Sequence, residues 1–458
     1  MSTGSPVSHR FRWLRKWVLW MVIGLVVAPV AGVGIAIAVD RAFFSNQPRY
    51  SQYSWPPEPC VVQEVDARCG TFVVPEDRAK PNGRTIGLNV VVLPAFSKPP
   101  RKDAVTYLAG GPGEAATEKA ADLSQQLSAL NVSRDILLVD QRGTGRSHAR
   151  GSDATQYGTR MAMDDLDAVR AALGYPQLNV IGSSYGGTAA QIYLTLHPSS
   201  VRTVILSGAT AIDVPFFARF AVNAQRALDQ LGKLCASDPA CGKAFPDWQR
   251  QFGVLVKEWN AHPANGMTGD ELASIVQAML LDLEKAVSIP LVVSRAAEGD
   301  YGRLEQEALR EPDVDLDLMG SSIWCNEPWT GLDASGPWGT EFDSYTTARI
   351  AAFRQECSSV PRRAEPRSLW TLPTSSPVPV LALVGGADPQ DPVTNLRGLK
   401  QHFPDSRTVI FPHIGHQFSI GGCLYPILTD YVERGTTNGL DTTPCDGAVV
   451  VPPFELTD

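Results

Sequence analysis

Beyond one stretch near its start, the sequence has no apolar run long enough to cross a bilayer, no internal repeat and no low-complexity tract. Basic surplus is missing too, since 40 Lys and Arg face 48 Asp and Glu and leave a formal net charge of -8. With so little positive charge to neutralise phosphates, the composition argues against a nucleic-acid partner. No Cys-x-x-Cys pair occurs and no histidine is grouped with the thiols, which argues against a zinc site. At 44% hydrophobic and 19% charged over 458 residues, the chain is also unlike a disordered one and has ample material for a large core.

What is present begins with Arg10, Arg12, Arg15 and Lys16, followed by 23 uncharged, mostly apolar residues at 17–39. Roughly 20 such residues span a bilayer as a helix. The basic flank stays cytoplasmic, so the rest of the chain is expected outside, periplasmic or extracellular. Two readings of this segment stand: an uncleaved membrane anchor, or a secretory signal cleaved near Ala36-Ile37-Ala38, which would leave a secreted protein. The eight cysteines point to the same oxidising compartment and fall into near neighbours: Cys60 with Cys69, Cys235 with Cys241, Cys325 with Cys357, and Cys423 with Cys445. Short loops close most readily, so pairing as neighbours is expected.

Residues 1–16 thus read as a basic tail, 17–39 as the anchor or signal, and 40–59, rich in proline and without period, as a linker. From residue 71 short β-branched runs at 71–74, 85–93, 104–108, 135–139, 178–181 and 201–206 alternate with helical patterns at 161–173 and 185–196. That alternation predicts an α/β protein with a mostly parallel sheet covered on both faces. It is interrupted by helical patterns at 216–234, 244–259, 270–283 and 290–309, and resumes with strands at 378–384 and 408–411 and helices at 393–401 and 424–433. The expected organisation is a core at 60–212, an inserted helical cap at 213–374, and a second core part at 375–458 with a cysteine-bearing tail.

Gly182-Ser183-Ser184-Tyr185-Gly186 follows a strand and opens a helix, the context a nucleophile elbow requires. A serine on that turn presents its oxygen at a helix N-terminus, where developing negative charge is favoured. Ser184 is therefore the candidate nucleophile. Tyr107-Leu108-Ala109-Gly110-Gly111-Pro112-Gly113 ends an earlier strand, and its glycines let backbone N–H groups approach a substrate oxygen. No Gly-Lys-Ser/Thr follows, so it is not a phosphate loop. Gly111, with Gly110 as the alternative, and the amide of Tyr185 are the expected oxyanion donors. Of seven histidines, His416 lies on a glycine turn shortly after the last strand and is the expected base. The strand before it runs into Gly385-Gly386-Ala387-Asp388-Pro389-Gln390-Asp391, offering two acids to orient the imidazole; Asp388 is preferred, Asp391 the alternative. The order Ser184, Asp388, His416 is that of the α/β-hydrolase fold.

Gly110-Gly111-Pro112-Gly113, the run Asp140 to Ser147 and the Ser184 elbow together resemble the proline iminopeptidase and tripeptidyl aminopeptidase family of serine exopeptidases, over roughly residues 60–445. Ala109 departs from the histidine frequent before Gly-Gly-Pro-Gly, and Asp391 and Asn395 replace residues more usual after the acid, which puts proline specificity in doubt. The resemblance implies a peptide substrate whose α-ammonium meets an acid of the cap. Glu327, flanked by Trp324 and Trp329, is the candidate for it, with a solvated surface acid as the other reading. Asp140 to Ser147 is expected to be structural, held by an ion pair from Asp140 to Arg142 or Arg146. Neither metal nor organic cofactor is required by acyl transfer through such a triad. The expected activity is aminopeptidase; an esterase or lactonase on the same residues, and a non-catalytic surface-binding domain, are the alternatives.

Overall fold

The β-branched runs of the sequence pair into one nine-stranded sheet. Its strands are β1 (Glu58–Val62), β2 (Val65–Pro75), β3 (Thr85–Leu93), β4 (Ala104–Leu108), β5 (Ile136–Val139), β6 (Leu178–Ser183), β7 (Val201–Ser207), β8 (Val380–Gly385) and β9 (Ser406–Phe411). The computed structural model describes residues 55–147, 153–310, 318–417 and 422–457. The apolar segment 17–39, the basic residues before it and most of the expected linker lie outside these; among the described residues no helix is long and apolar enough to cross a membrane.

Strand order is β1-β2-β3-β5-β4-β6-β7-β8-β9. The first three pairings are antiparallel and the remaining five are parallel. Every residue of β4, β5 and β8 is buried, as expected of strands covered on both faces. The edge strand β9 alternates exposed with buried positions over its second half. Helices α1 (Thr159–Ala172) and α2 (Tyr185–Leu196) pack beside one another, and ten residues of α2 are buried.

Strands β7 and β8 are hydrogen-bonded neighbours, yet a long helical segment separates them in sequence. It comprises α3 (Phe216–Ser237), α4 (Trp248–Ala261), α5 (Gly269–Met279), α6 (Ile289–Ala297), α7 (Gly302–Arg310), α8 (Leu318–Asn326) and α9 (Asp343–Glu356), with shorter turns between. After β9 comes α10 (Leu424–Arg434).

Four local expectations change. Glu58 and Pro59 belong to β1 instead of to a linker. The pattern at 290–309 is two helices, α6 and α7, because Gly299 turns the chain at φ +87. The pattern at 393–401 is likewise a 3-10 turn and a one-turn helix divided at Gly398, also at φ +87. Arg142 does not pair with Asp140: its guanidinium holds Asp165 at 2.6 and 2.8 Å. Asp140 is instead a buried acceptor for Asn89, Thr117 and the Arg146 amide. The four disulfides join Cys60–Cys69, Cys235–Cys241, Cys325–Cys357 and Cys423–Cys445, with no free cysteine among the described residues.

Candidate active site

Strand β6 stops at Ser183 and α2 starts at Tyr185, so Ser184 bears the whole change of direction. Its φ of +54 and ψ of −125 lie outside the regions a side chain prefers. Neighbouring contacts hold it there: the Ser184 amide donates to Ser207 O on β7, and the Gly187 amide to Ser184 O. A Cβ at position 182 would come within 2.2 Å of Gly186 O, and one at 186 within 2.0 Å of Leu108 O. Only glycine at both positions lets the turn close this tightly against β4.

His416 reaches the serine from the loop after β9. In the tautomer with its proton on Nδ1, it donates to Asp388 Oδ2 at 2.9 Å, and Nε2 accepts from Ser184 Oγ at 3.0 Å. Asp388 is fully buried, and its other oxygen accepts from the backbone amides of Gln390 and Asp391. Burial opposes ionisation of Asp388, but His416 and these amides outweigh it and hold the carboxyl below its usual range. For His416 burial opposes the imidazolium, while Asp388 and then Asp391 favour it and raise its pKa to about 9. Asp391 Oδ2 is 3.6 Å from Nδ1, too far for a hydrogen bond. Its Oδ1 accepts from Thr210.

Two recesses share Ser184 and Gly111. One is a smaller, mostly apolar recess lined by Tyr185, Ile212, Val214, Phe216, Trp324 and Trp329, and by Gln390 and Asp391. The other is an open groove bordered by Glu114, Asp282, Glu284, His416 and the tail residues Ala448, Val449, Val450 and Pro452. His416 borders the groove and not the cavity.

Ser184, His416, Asp388, Gly111 and Tyr185 are thus brought together. Glu327 is placed differently: it does not line the cavity. It lies buried just after α8, where its carboxylate accepts from Thr159 N at 2.6 Å, Thr159 Oγ1 at 2.8 Å and Trp329 Nε1 at 2.9 Å. Thr159 Oγ1 in turn contacts the Tyr185 hydroxyl at 2.7 Å. Glu327 therefore ties the wall residues Trp329 and Tyr185 to the start of α1. Thr159, Thr210, Phe216 and the 448–452 tail carried no motif of their own; the tail's one signal was Cys445, which anchors it beside the groove.

Burial raises the Glu327 carboxyl to about 7 against the pull of the Thr159 and Trp329 donors. A carboxyl raised in the folded state stabilises the fold fully below its ordinary value of 4.5, and that contribution is lost as pH climbs through about 7. Glu327→Gln is expected to remove this slope, a difference on the order of 3 kcal/mol between acid and alkaline conditions. Thermal melts of both proteins at pH 5 and pH 8 check it: the variant should gain relative to wild type at pH 8, and an equal offset at both pH values would refute it.

Asp388, Asp391 and His416 are also the grouping among the described residues whose ligand atoms lie close enough to hold a metal ion. Hydrogen bonds engage His416 with Asp388 and Ser184, and the Asp391 carboxylate with Thr210.

Residues 104–422 match the alpha/beta hydrolase fold family. A putative hydrolase, YuaR of Escherichia coli (strain K12), is 25% identical over 282 residues, 50% of this chain and 56% of that protein. Serine protease Hip1 of Mycobacterium tuberculosis (strain ATCC 25618 / H37Rv) is 26% identical over 290 residues, 52% and 55% of the two chains. Tripeptidyl aminopeptidase of Streptomyces lividans is 28% identical over 185 residues, 30% and 34%. The match spans about half the length of the first two relatives. Extending over most of the strands and across the Ser184 elbow, Asp388 and His416, the family match gives the conclusion that this chain belongs to the alpha/beta hydrolase fold family.

Proposed function

We propose that the chain is an exported serine aminopeptidase that acts through an acyl-enzyme. Ser184 attacks the carbonyl, His416 takes its proton and passes it to the departing amine, and Asp388 holds the imidazole. The amides of Gly111 and Tyr185 receive the oxyanion. Water then frees the acyl group. The observation that carries the peptidase direction is the unequal pair of recesses at Ser184. His416 must face the leaving amine, and it borders the open groove, so the departing peptide lies there. The acyl part then occupies the smaller recess, whose limited space suits a chain end better than a continuing polypeptide.

The helical segment 213–374 acts as the cap that covers this recess over the core, 60–212 and 375–458. Four disulfides support export. Residues 17–39 then serve as an anchor or as a signal that is removed.

Comparing kcat/KM for a peptide with a free N-terminus and its acetylated form tests the reading. The free form is expected to be cleaved at least about a hundredfold faster, the cost of placing an unpaired or blocked terminus where a charge pair forms. Equal rates on both, or faster turnover of short-chain esters than of any free peptide, would favour an endopeptidase or an esterase.

A further inference from the structure

The smaller recess beside Ser184 is lined by a single carboxylate, that of Asp391, whose side chain is only 11% exposed. Thr210 donates to Oδ1, while no hydrogen bond reaches Oδ2 among the described residues: His416 Nδ1 is 3.6 Å away and already given to Asp388. That oxygen is not among the buried atoms left without a partner, so it keeps some exposure, and a cation entering beside Ile212, Val214 and Trp329 can pair with it.

Resting on the aminopeptidase reading, we infer that Asp391 pairs with the α-ammonium of the substrate's first residue and so fixes release at one residue per cut. Distance decides the count. Asp391 is separated from Ser184 Oγ by little more than the imidazole ring, 3.6 Å from Nδ1 on one side and 3.0 Å from Nε2 on the other. In a one-residue acyl group the α-nitrogen stands two bonds from the carbonyl carbon, which suits that spacing. The amine of a tripeptidyl group stands eight bonds away and a lysine ε-ammonium six, both too remote. Glu327, the other acid near the cavity, has its oxygens occupied by Thr159 and Trp329 and does not line the space. Burial and the neighbouring Asp388 raise the Asp391 carboxyl to about 6, so an arriving ammonium also favours its ionised form.

The test measures kcat/KM of the full chain on an alanine anilide with a free amine and on its acetylated counterpart, for wild type, Asp391→Asn and Thr210→Val. In Asp391→Asn the ratio of free to acetylated is expected to fall by about tenfold or more, mostly through KM, because a charge pair is lost. Thr210→Val, which keeps the acid but loosens it, should lower the ratio by a smaller factor and guards against misfolding of the first variant. Equal losses on both substrates would mean that Asp391 only supports His416, and would overturn the inference while leaving the aminopeptidase reading intact. A wild type without preference for the free amine would overturn both.

Discussion

Ser184→Ala is expected to lower kcat by on the order of 10⁶ while leaving the thermal melt of the protein within about 1 kcal/mol of wild type. The change deletes one oxygen at the mouth of two recesses and no packed volume. It also leaves the backbone constraints of the turn in place, since Gly182 and Gly186, the hydrogen bond from the Ser184 amide to Ser207 O and that from the Gly187 amide to Ser184 O do not depend on the hydroxyl. Covalent labelling by a fluorophosphonate should disappear with the activity. Labelling that persists in the alanine variant would move the nucleophile, and Ser183 would be the first residue to examine.

Asp388→Asn carries the second large effect, on the order of 10⁴ in kcat, by the loss of the productive imidazole tautomer. Asp391→Asn should cost less in kcat, although both acids approach Nδ1. The distances separate them: Asp388 accepts the proton at 2.9 Å and Asp391 stands off at 3.6 Å. Asp388 is also preorganised as an acceptor by two backbone amides, whereas Asp391 is turned toward Thr210. Single-turnover kinetics of the two variants on one substrate check the order. A larger loss in Asp391→Asn would exchange their roles.

Much of this was legible because it is local. The Gly-x-Ser-x-Gly turn between an apolar strand and a helix marks both the strain and the candidate nucleophile, and the first acid after the glycines that end β8 is the one that meets His416. His413, three residues earlier, stays exposed on a turn of its own at φ +67. Other features depend on partners distant in sequence. Glu327 between two tryptophans looks like a pocket acid, but Thr159, 168 residues away, claims it from the side of the core. Strand β1 was hidden because its hairpin turns on Gln63 and Glu64, both at positive φ without the Asn or Gly that usually marks such a turn. Gly299 and Gly398 mark the two overlong helical patterns, where periodicity alone ran through a break. Pairing of cysteines was the opposite case, since each partner lies between 6 and 32 residues away.

Mass spectrometry of the products released from an unmodified hexapeptide, sampled through a time course with the purified chain, tests the aminopeptidase claim most directly. The expected result is a ladder of peptides shortened only from the N-terminus, with the released N-terminal portions appearing in step and neither product formed by Ser184→Ala. Internal fragments that appear before any N-terminal loss, or an intact peptide beside rapid turnover of a simple ester, would contradict it.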